Sequence, residues 1–420
     1  MKSAIWHPFT QHGVSGAEIA IARAEGAKLF TEDGRPIIDA ISSWWVITHG
    51  HAQPRIVGAI RNQAQQLEQV IFAGFTHQPA ERLAAKLLAK APAGLTHAFF
   101  SDSGSTAVEV ALKMAVGAWH NRGKPRYRII AMEHAYHGDI FGSMSVGHRG
   151  VFNAPYGPML FEVGFVPFPH AGREQATLDA LETLLRSGRE TYAAAIFEPL
   201  VLGAGGMMMY PAHVLAGIAD LCRRYGVWLI LDEVMTGFGR TGSLFACEQA
   251  GIAPDLMCLS KGITGGFLPM GVTLASEEIY DAFYSEDRAQ TFFHSSSYTG
   301  NAIACAAALA NLEIWEQEPV MTRITAISEF HARALGEISR RREVASVRQC
   351  GTIAAVELSA ADPGYLAGLG PRLNAFYLEK NVLLRPLGNV VYVLPPYCTG
   401  PAELTRIYEA IDDSLALVGT

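Results

Sequence analysis

The sequence predicts an α/β protein built on a large, doubly wound, mostly parallel sheet, with a smaller α+β domain attached. Two observations carry that expectation. From about Thr96, short apolar runs ("HAFF", "YRIIAM", "AAAIF", "VWLILDE", "DLMCLS") alternate with helix-length amphipathic segments. Runs without polar alternation suit strands covered on both faces, and their alternation with helices suits parallel crossovers. Near the C-terminus the pattern changes, and "TIAAVEL" and "NVVYVLP" read as strands of a separate, smaller unit.

In chain order, "AKLFTEDGRPIIDA" reads as a hairpin turning at Asp33-Gly34. "ISSWWVITHGH" follows; as an extended strand it would send Trp44 and Trp45 to opposite faces, Trp45 into the core and Trp44 toward a ligand. Helices are expected after Pro54 and after Pro79, the second with Leu83, Leu87 and Leu88 on one face. The expected division is a segment 1–50 packing with the small domain, a large domain 51–310 and a small domain 311–420.

The 420 residues are 50% hydrophobic and 17% charged, a globular composition with ample core. A net charge of −7 without a basic run offers no footprint for nucleic acid or an anionic membrane. Apolar runs such as "VWLIL" are too short to span a bilayer. The opening "MKSAIWHPFT" reads as neither leader nor anchor, and six scattered cysteines without a CxxC pair suit reduced thiols. A cytoplasmic location is expected.

Three polar signals sit where apolar runs end. In "FFSDSGSTAVEVALKMA" a strand gives way to small residues and a helix start, where free N–H groups and the dipole favour an anion; an ordinary capped helix reads equally well. In "WLILDEVMTGFGRTG", Asp232 ends a wholly apolar strand. A lone strand-end acid more often caps a turn, yet it could pair with a buried protonated nitrogen. In "APDLMCLSKGITGGFLP", Lys261 follows a buried run, where desolvation makes a lysine nucleophilic; most other lysines are solvated surface groups. In this order the three describe a pyridoxal phosphate site: phosphate at the helix start, ring nitrogen at Asp232, aldehyde carbon at Lys261.

The motifs "DSGSTAVEVALKMA", "HAYHGD", "FEPLVLGAGGMM", "LILDEVMTGFGRTG" and "LSKGITGGFLPMGVTL" resemble the class III aminotransferases of PLP fold type I, over nearly the whole chain. "WHPFT", "SSWWVITHGH", "IFAGFTHQPA" and "LLRPLGNVVYVLPPY" resemble the family's biotin-pathway branch. That resemblance implies 8-amino-7-oxononanoate as acceptor, with S-adenosylmethionine or lysine as donor. It implies that Gly104 and Ser105 bind the cofactor phosphate, with Asp232 at the ring nitrogen and Lys261 as the catalytic lysine. Tyr136 would lie against the cofactor and touch substrate; Trp44 would line the keto-acid pocket and Arg385 bind its carboxylate. Ser295 would touch substrate and Ser296 and Ser297 the phosphate, from the partner subunit of a homodimer with shared active sites. Many members carry tyrosine where this chain has Phe9 at the pocket mouth, and Gly-Pro-Thr at Ser295-Ser296-Ser297; a hydroxyl survives at Ser297.

Arg240 could meet a donor carboxylate or pack its own loop, and Asp139 could organise the Tyr136 side or cap a turn. His134 and His137 invite a metal reading but lack a third ligand nearby in sequence. Met207 to Met209 suit adaptable core. The rival functions are another class III ω-aminotransferase acting on β-alanine, 4-aminobutyrate or a diamine, an aminomutase, and a non-enzymatic regulator. Trp44-Trp45 and Arg385 favour the biotin-pathway reading.

Overall fold

The computed structural model describes residues 4–14, 16, 18–188 and 190–418. Its strands are β1 (Ile21–Glu25), β2 (Lys28–Thr31), β3 (Pro36–Asp39), β4 (Leu95–Ser101), β5 (Arg128–Met132), β6 (Val163–Val166), β7 (Tyr192–Phe197), β8 (Val201–Leu202) and β9 (Met208–Met209). After these come β10 (Trp228–Asp232), β11 (Leu256–Leu259), β12 (Gly271–Ser276), β13 (Val344–Cys350), β14 (Ile353–Leu358), β15 (Val382–Leu383) and β16 (Val390–Val393).

A seven-stranded sheet in the order β4-β12-β11-β10-β7-β5-β6 forms the centre, parallel except where β12 runs antiparallel to β11 and β4. The apolar runs are strands covered on both faces, as expected. On β10, Trp228 and Ile230 pack into one core with Ala107, Val108 and Ala111 of the helix Gly104–Asn121, while Leu229 and Leu231 enter the other core. Period-2 alternation splits each strand between two helix layers. Two strands of this sheet were not expected. β6 is an edge strand carrying a glycine, and β12 opens on glycine and holds Thr273, whose hydroxyl is satisfied by the Ala107 carbonyl at 2.8 Å.

The hairpin turns where expected: Gly34 has φ +84°, which a residue without Cβ adopts freely, and its N–H donates to the Thr31 carbonyl at 2.9 Å. β3 then pairs in parallel with β15, completing a β1-β2-β3-β15 sheet, while β13-β14-β16 form a second C-terminal sheet. The helices Pro54–Ala64 and Gln78–Lys90 both begin with proline in the first turn. Among the described residues no helix is long and apolar enough to cross a membrane.

The tryptophan stretch is not a strand. Ser42–Trp45 forms a tight turn in which Ser42, Ser43 and Trp45 have φ of 53°, 58° and 67°. The indoles still part, Trp45 inward and Trp44 outward, with 6% and 43% of their surface exposed. Backbone reversals separate them, not pleat alternation.

Candidate active site

The carboxyl ends of β7, β10 and β11 lie side by side, and each delivers a titratable group. Lys261 comes two residues after β11, with φ +46°. A left-handed conformation disfavours a residue with Cβ by about 1–3 kcal/mol, so the surrounding structure imposes it. Its ammonium lies 4.5 Å from the centroid of the Trp45 ring. Burial lowers the Lys261 pKa to about 8, against the pull of Asp232 and Glu198 in the opposite direction. The indole cannot replace the water that would otherwise solvate the charge.

Asp232, the last residue of β10, is buried at the floor of the cleft. Its Oδ1 accepts from the Val234 N–H at 3.0 Å, and its Oδ2 lies 2.7 Å from His137 Nδ1. His137 Nε2 is buried without a hydrogen-bond partner. A carboxylate buried here favours a cationic partner on its open side.

Glu198 is the residue sequence reasoning missed. It follows Phe197 as Asp232 follows Leu231, and those two residues are partners across the parallel pair β7–β10. Its carboxylate accepts from the Tyr136 N–H at 2.9 Å and the Gly203 N–H at 3.0 Å. Burial raises its pKa to about 7. The strand-end acid in "FEPL" was the available signal.

At the opposite wall the helix Gly104–Asn121 begins. Ser103 and Thr106 form a reciprocal cap: the Thr106 N–H donates to Ser103 Oγ at 3.2 Å, and the Ser103 N–H to Thr106 Oγ1 at 2.8 Å. Gly104 and Ser105 occupy the first two helical positions, where no preceding helical carbonyl reaches the N–H groups. A Cβ on Gly104 would stand 2.6 Å from Val234 Cγ1, so glycine there lets the helix start close onto the loop after Asp232. Gly138 packs likewise against Ser105, and the Asp139 N–H donates to Ser105 Oγ at 3.3 Å. The helix start and the "HGD" turn are thus one surface. Tyr136 hangs from that turn, its hydroxyl held protonated by burial and by the neighbouring Asp139.

Phe9, Trp44 and Arg385 meet at the mouth. The Arg385 guanidinium carbon lies 5.3 Å from the Trp44 ring centroid, and its Nη2 donates to the Phe9 carbonyl at 3.1 Å. The Phe9 and Trp44 rings are 5.6 Å apart. A cavity of about 760 Å³ extends from Tyr136 and Asp139 past Phe152 to Met208 and Tyr365. Within one chain Ser296 bonds to Asp102 at 2.8 Å, close to the helix start, while Ser295 and Ser297 are exposed. Arg240 is buried and donates to the carbonyls of Trp45, Ile47 and Pro395, so its guanidinium is spent on holding the backbone behind the Trp45 wall of the cleft. Among the described residues no group of three or more His, Cys, Asp or Glu side chains could hold a metal ion.

A family model described as aminotransferase class-III matches residues 9–415. The chain belongs to the class-III aminotransferases. This aminotransferase is 50% identical to the adenosylmethionine-8-amino-7-oxononanoate aminotransferase of Synechococcus elongatus, covering 98% of each chain. It is 40% identical to the enzyme of the same name from Nitratidesulfovibrio vulgaris, over 99% of this chain and 80% of that one. Among solved structures, the adenosylmethionine-8-amino-7-oxononanoate aminotransferase of Methanocaldococcus jannaschii superposes with a TM-score of 0.94 at 34% identity, covering 99% of this chain and 98% of that one. A PLP-bound amine transaminase from an uncultivated Pseudomonas species superposes with a TM-score of 0.92 at 31% identity, covering 100% of both. Class III aminotransferases depend on pyridoxal phosphate, and the cleft fits it. The buried Asp232 carboxylate suits a ring N–H, the unpaired helix start suits the phosphate, and the desolvated Lys261 amine suits the aldehyde.

Proposed function

We propose that this aminotransferase transfers an amino group to 8-amino-7-oxononanoate, giving 7,8-diaminononanoate in biotin synthesis, with S-adenosylmethionine as donor. The observation that carries the acceptor is the meeting of Phe9, Trp44 and Arg385. A flat aromatic wall suits a polymethylene chain, and the guanidinium beside it suits the carboxylate at the chain's end. The names of the relatives from Synechococcus and Methanocaldococcus point the same way. The same names carry adenosylmethionine, which favours that donor, and a cavity of about 760 Å³ beside Tyr136 has room for it.

Bound pyridoxal phosphate supplies the electron sink and carries the amino group between the two substrates. In this reading Asp232 would keep a proton on the ring nitrogen, the Gly104 and Ser105 N–H groups would hold the phosphate, and Tyr136 would lie against the bound cofactor. The Lys261 Nζ, its pKa lowered to about 8 by burial, would move a proton between the substrate carbon and the cofactor's aldehyde carbon within each half-reaction. Ser295, Ser296 and Ser297 reach the site of the partner subunit in a homodimer; the exposed Phe293 and Tyr298 flanking them support an interface there. The division at 50/51 and 310/311 belongs to the same reading; the β3–β15 pairing supports the packing of the first segment with the last. A cytoplasmic location belongs to it too, supported by six free cysteines.

An ω-aminotransferase is the second reading, left open by Phe9 in place of tyrosine and favoured by a solved ω-transaminase from Thermomicrobium roseum at 31% identity. Adding each donor to the purified yellow enzyme separates the two. S-adenosylmethionine is expected to bleach the cofactor absorbance; bleaching by β-alanine and not by S-adenosylmethionine or lysine would reject the biotin reading.

A further inference from the structure

The tryptophan turn holds three residues with left-handed φ, none of them glycine. Each is disfavoured by about 1 kcal/mol or more, so contacts outside the turn must hold it. Asp39, the last residue of β3, supplies them. Its side chain is fully buried, and its carboxylate accepts from the Ile41 N–H at 3.3 Å, the Ser43 N–H at 2.7 Å and Ser43 Oγ at 3.2 Å. His51 Nε2 lies 2.9 Å from Oδ2, and the His51 backbone exchanges hydrogen bonds with Gly26 at 2.8 and 3.2 Å. The carboxylate therefore ties both ends of the 41–51 loop to the N-terminal hairpin. From the far side Arg240 holds the carbonyls of Trp45 and Ile47. A buried carboxylate is tolerable only when its lone pairs are filled, and here the turn fills them.

We propose that Asp39, seconded by His51, is a positioning residue for the amino acceptor. By fixing Ser43 it fixes Trp44 against Phe9 and Arg385, and so sets the keto-acid side of the pocket. Trp45, which faces Lys261 from the same turn, is anchored independently by its indole N–H to the Tyr392 hydroxyl at 3.0 Å and by Arg240 on its carbonyl, so the influence of Asp39 falls on Trp44 and acceptor recognition ahead of donor chemistry. The inference rests on the acceptor reading above.

The test is made on holoenzyme carrying Asp39→Asn or His51→Gln, after wild-type turnover of 8-amino-7-oxononanoate has been measured. In both variants the KM for the keto acid is expected to rise roughly tenfold or more, the scale of a lost hydrogen bond to a charged group. The donor half-reaction is expected to stay within about threefold, and amide exchange over residues 41–47 to accelerate while β11 stays protected. An unchanged keto-acid KM, or a loss shared equally by both half-reactions, overturns the proposal. Should Asp39→Asn fail to fold, His51→Gln decides by the same criteria. A wild-type enzyme inert toward 8-amino-7-oxononanoate overturns the acceptor reading itself and the proposal with it; an active wild type with unaffected variants overturns the proposal alone.

Discussion

The Lys261 ammonium stands 4.5 Å from the centre of the Trp45 indole, whose own N–H donates to the Tyr392 hydroxyl at 3.0 Å. Trp45 is therefore both core and cleft wall. Trp45→Ala is expected to destabilise the protein by about 3–5 kcal/mol, as truncation of a buried aromatic does. Trp45→Phe should recover most of that stability while leaving the Tyr392 hydroxyl without its donor. Urea midpoints of the two variants check both statements.

Lys261→Ala should abolish transamination and the yellow absorbance of bound cofactor together. The fold should survive, because the alanine leaves the strand and the cap of the following turn intact. Absorbance spectra and a turnover assay on one preparation decide it.

Cofactor capture by the apoprotein should quicken as pH rises. Burial disfavours the charged amine, so the folded pKa near 8 lies below the ordinary 10.5. At pH 7 roughly one lysine in ten is then already the free nucleophile, against fewer than one in a thousand for a solvated lysine. The rate constant should climb through a midpoint near pH 8 and level off above it. Stopped-flow absorbance across pH 6 to 10 measures the midpoint, and an inflection near 10.5 would contradict the desolvated cleft.

Arg385→Ala should raise the KM for the keto acid by roughly 10–100-fold, the range of a hydrogen bond to a charged group. The donor half-reaction should change little. Arg385→Lys should recover only part, because a point charge does not reproduce the planar fork or its stacking on Trp44. Steady-state kinetics with each substrate varied in turn tests this.

The glutamate at the end of β7 gives a stability prediction with a definite sign. Glu198 has its folded pKa raised to about 7 from 4.5. The folded state then holds a proton that the unfolded chain has released, so this residue's contribution is full below pH 4.5 and fades as pH rises to 7. Glu198→Gln should flatten that part of the apoprotein's Tm against pH, seen by calorimetry at pH 5 and pH 7.5.

What could be read from the chain was what local pattern encodes. Apolar runs marked β4, β5, β7, β10 and β11, and strand-end position singled out Asp232 and Lys261. Glu198 escaped because one carboxylate after a strand looks like any other until β7 and β10 are known to be neighbours. The Trp44–Trp45 turn escaped for a similar reason. Its backbone reversals are held by Asp39 and by Arg240, the latter almost two hundred residues away, and local propensity records nothing of that. The meeting of Phe9 with Arg385 spans nearly the whole chain. Resemblance to a family named these residues together; spacing alone could not.

One single-turnover measurement tests the acceptor most directly. Enzyme already carrying the donor's amino group is mixed with 8-amino-7-oxononanoate or with pyruvate, and return of the yellow absorbance is followed. 8-Amino-7-oxononanoate is expected to restore it, and pyruvate to do so at least roughly tenfold more slowly, lacking the chain that Trp44 receives. Fast recovery with pyruvate and none with 8-amino-7-oxononanoate would contradict the acceptor reading.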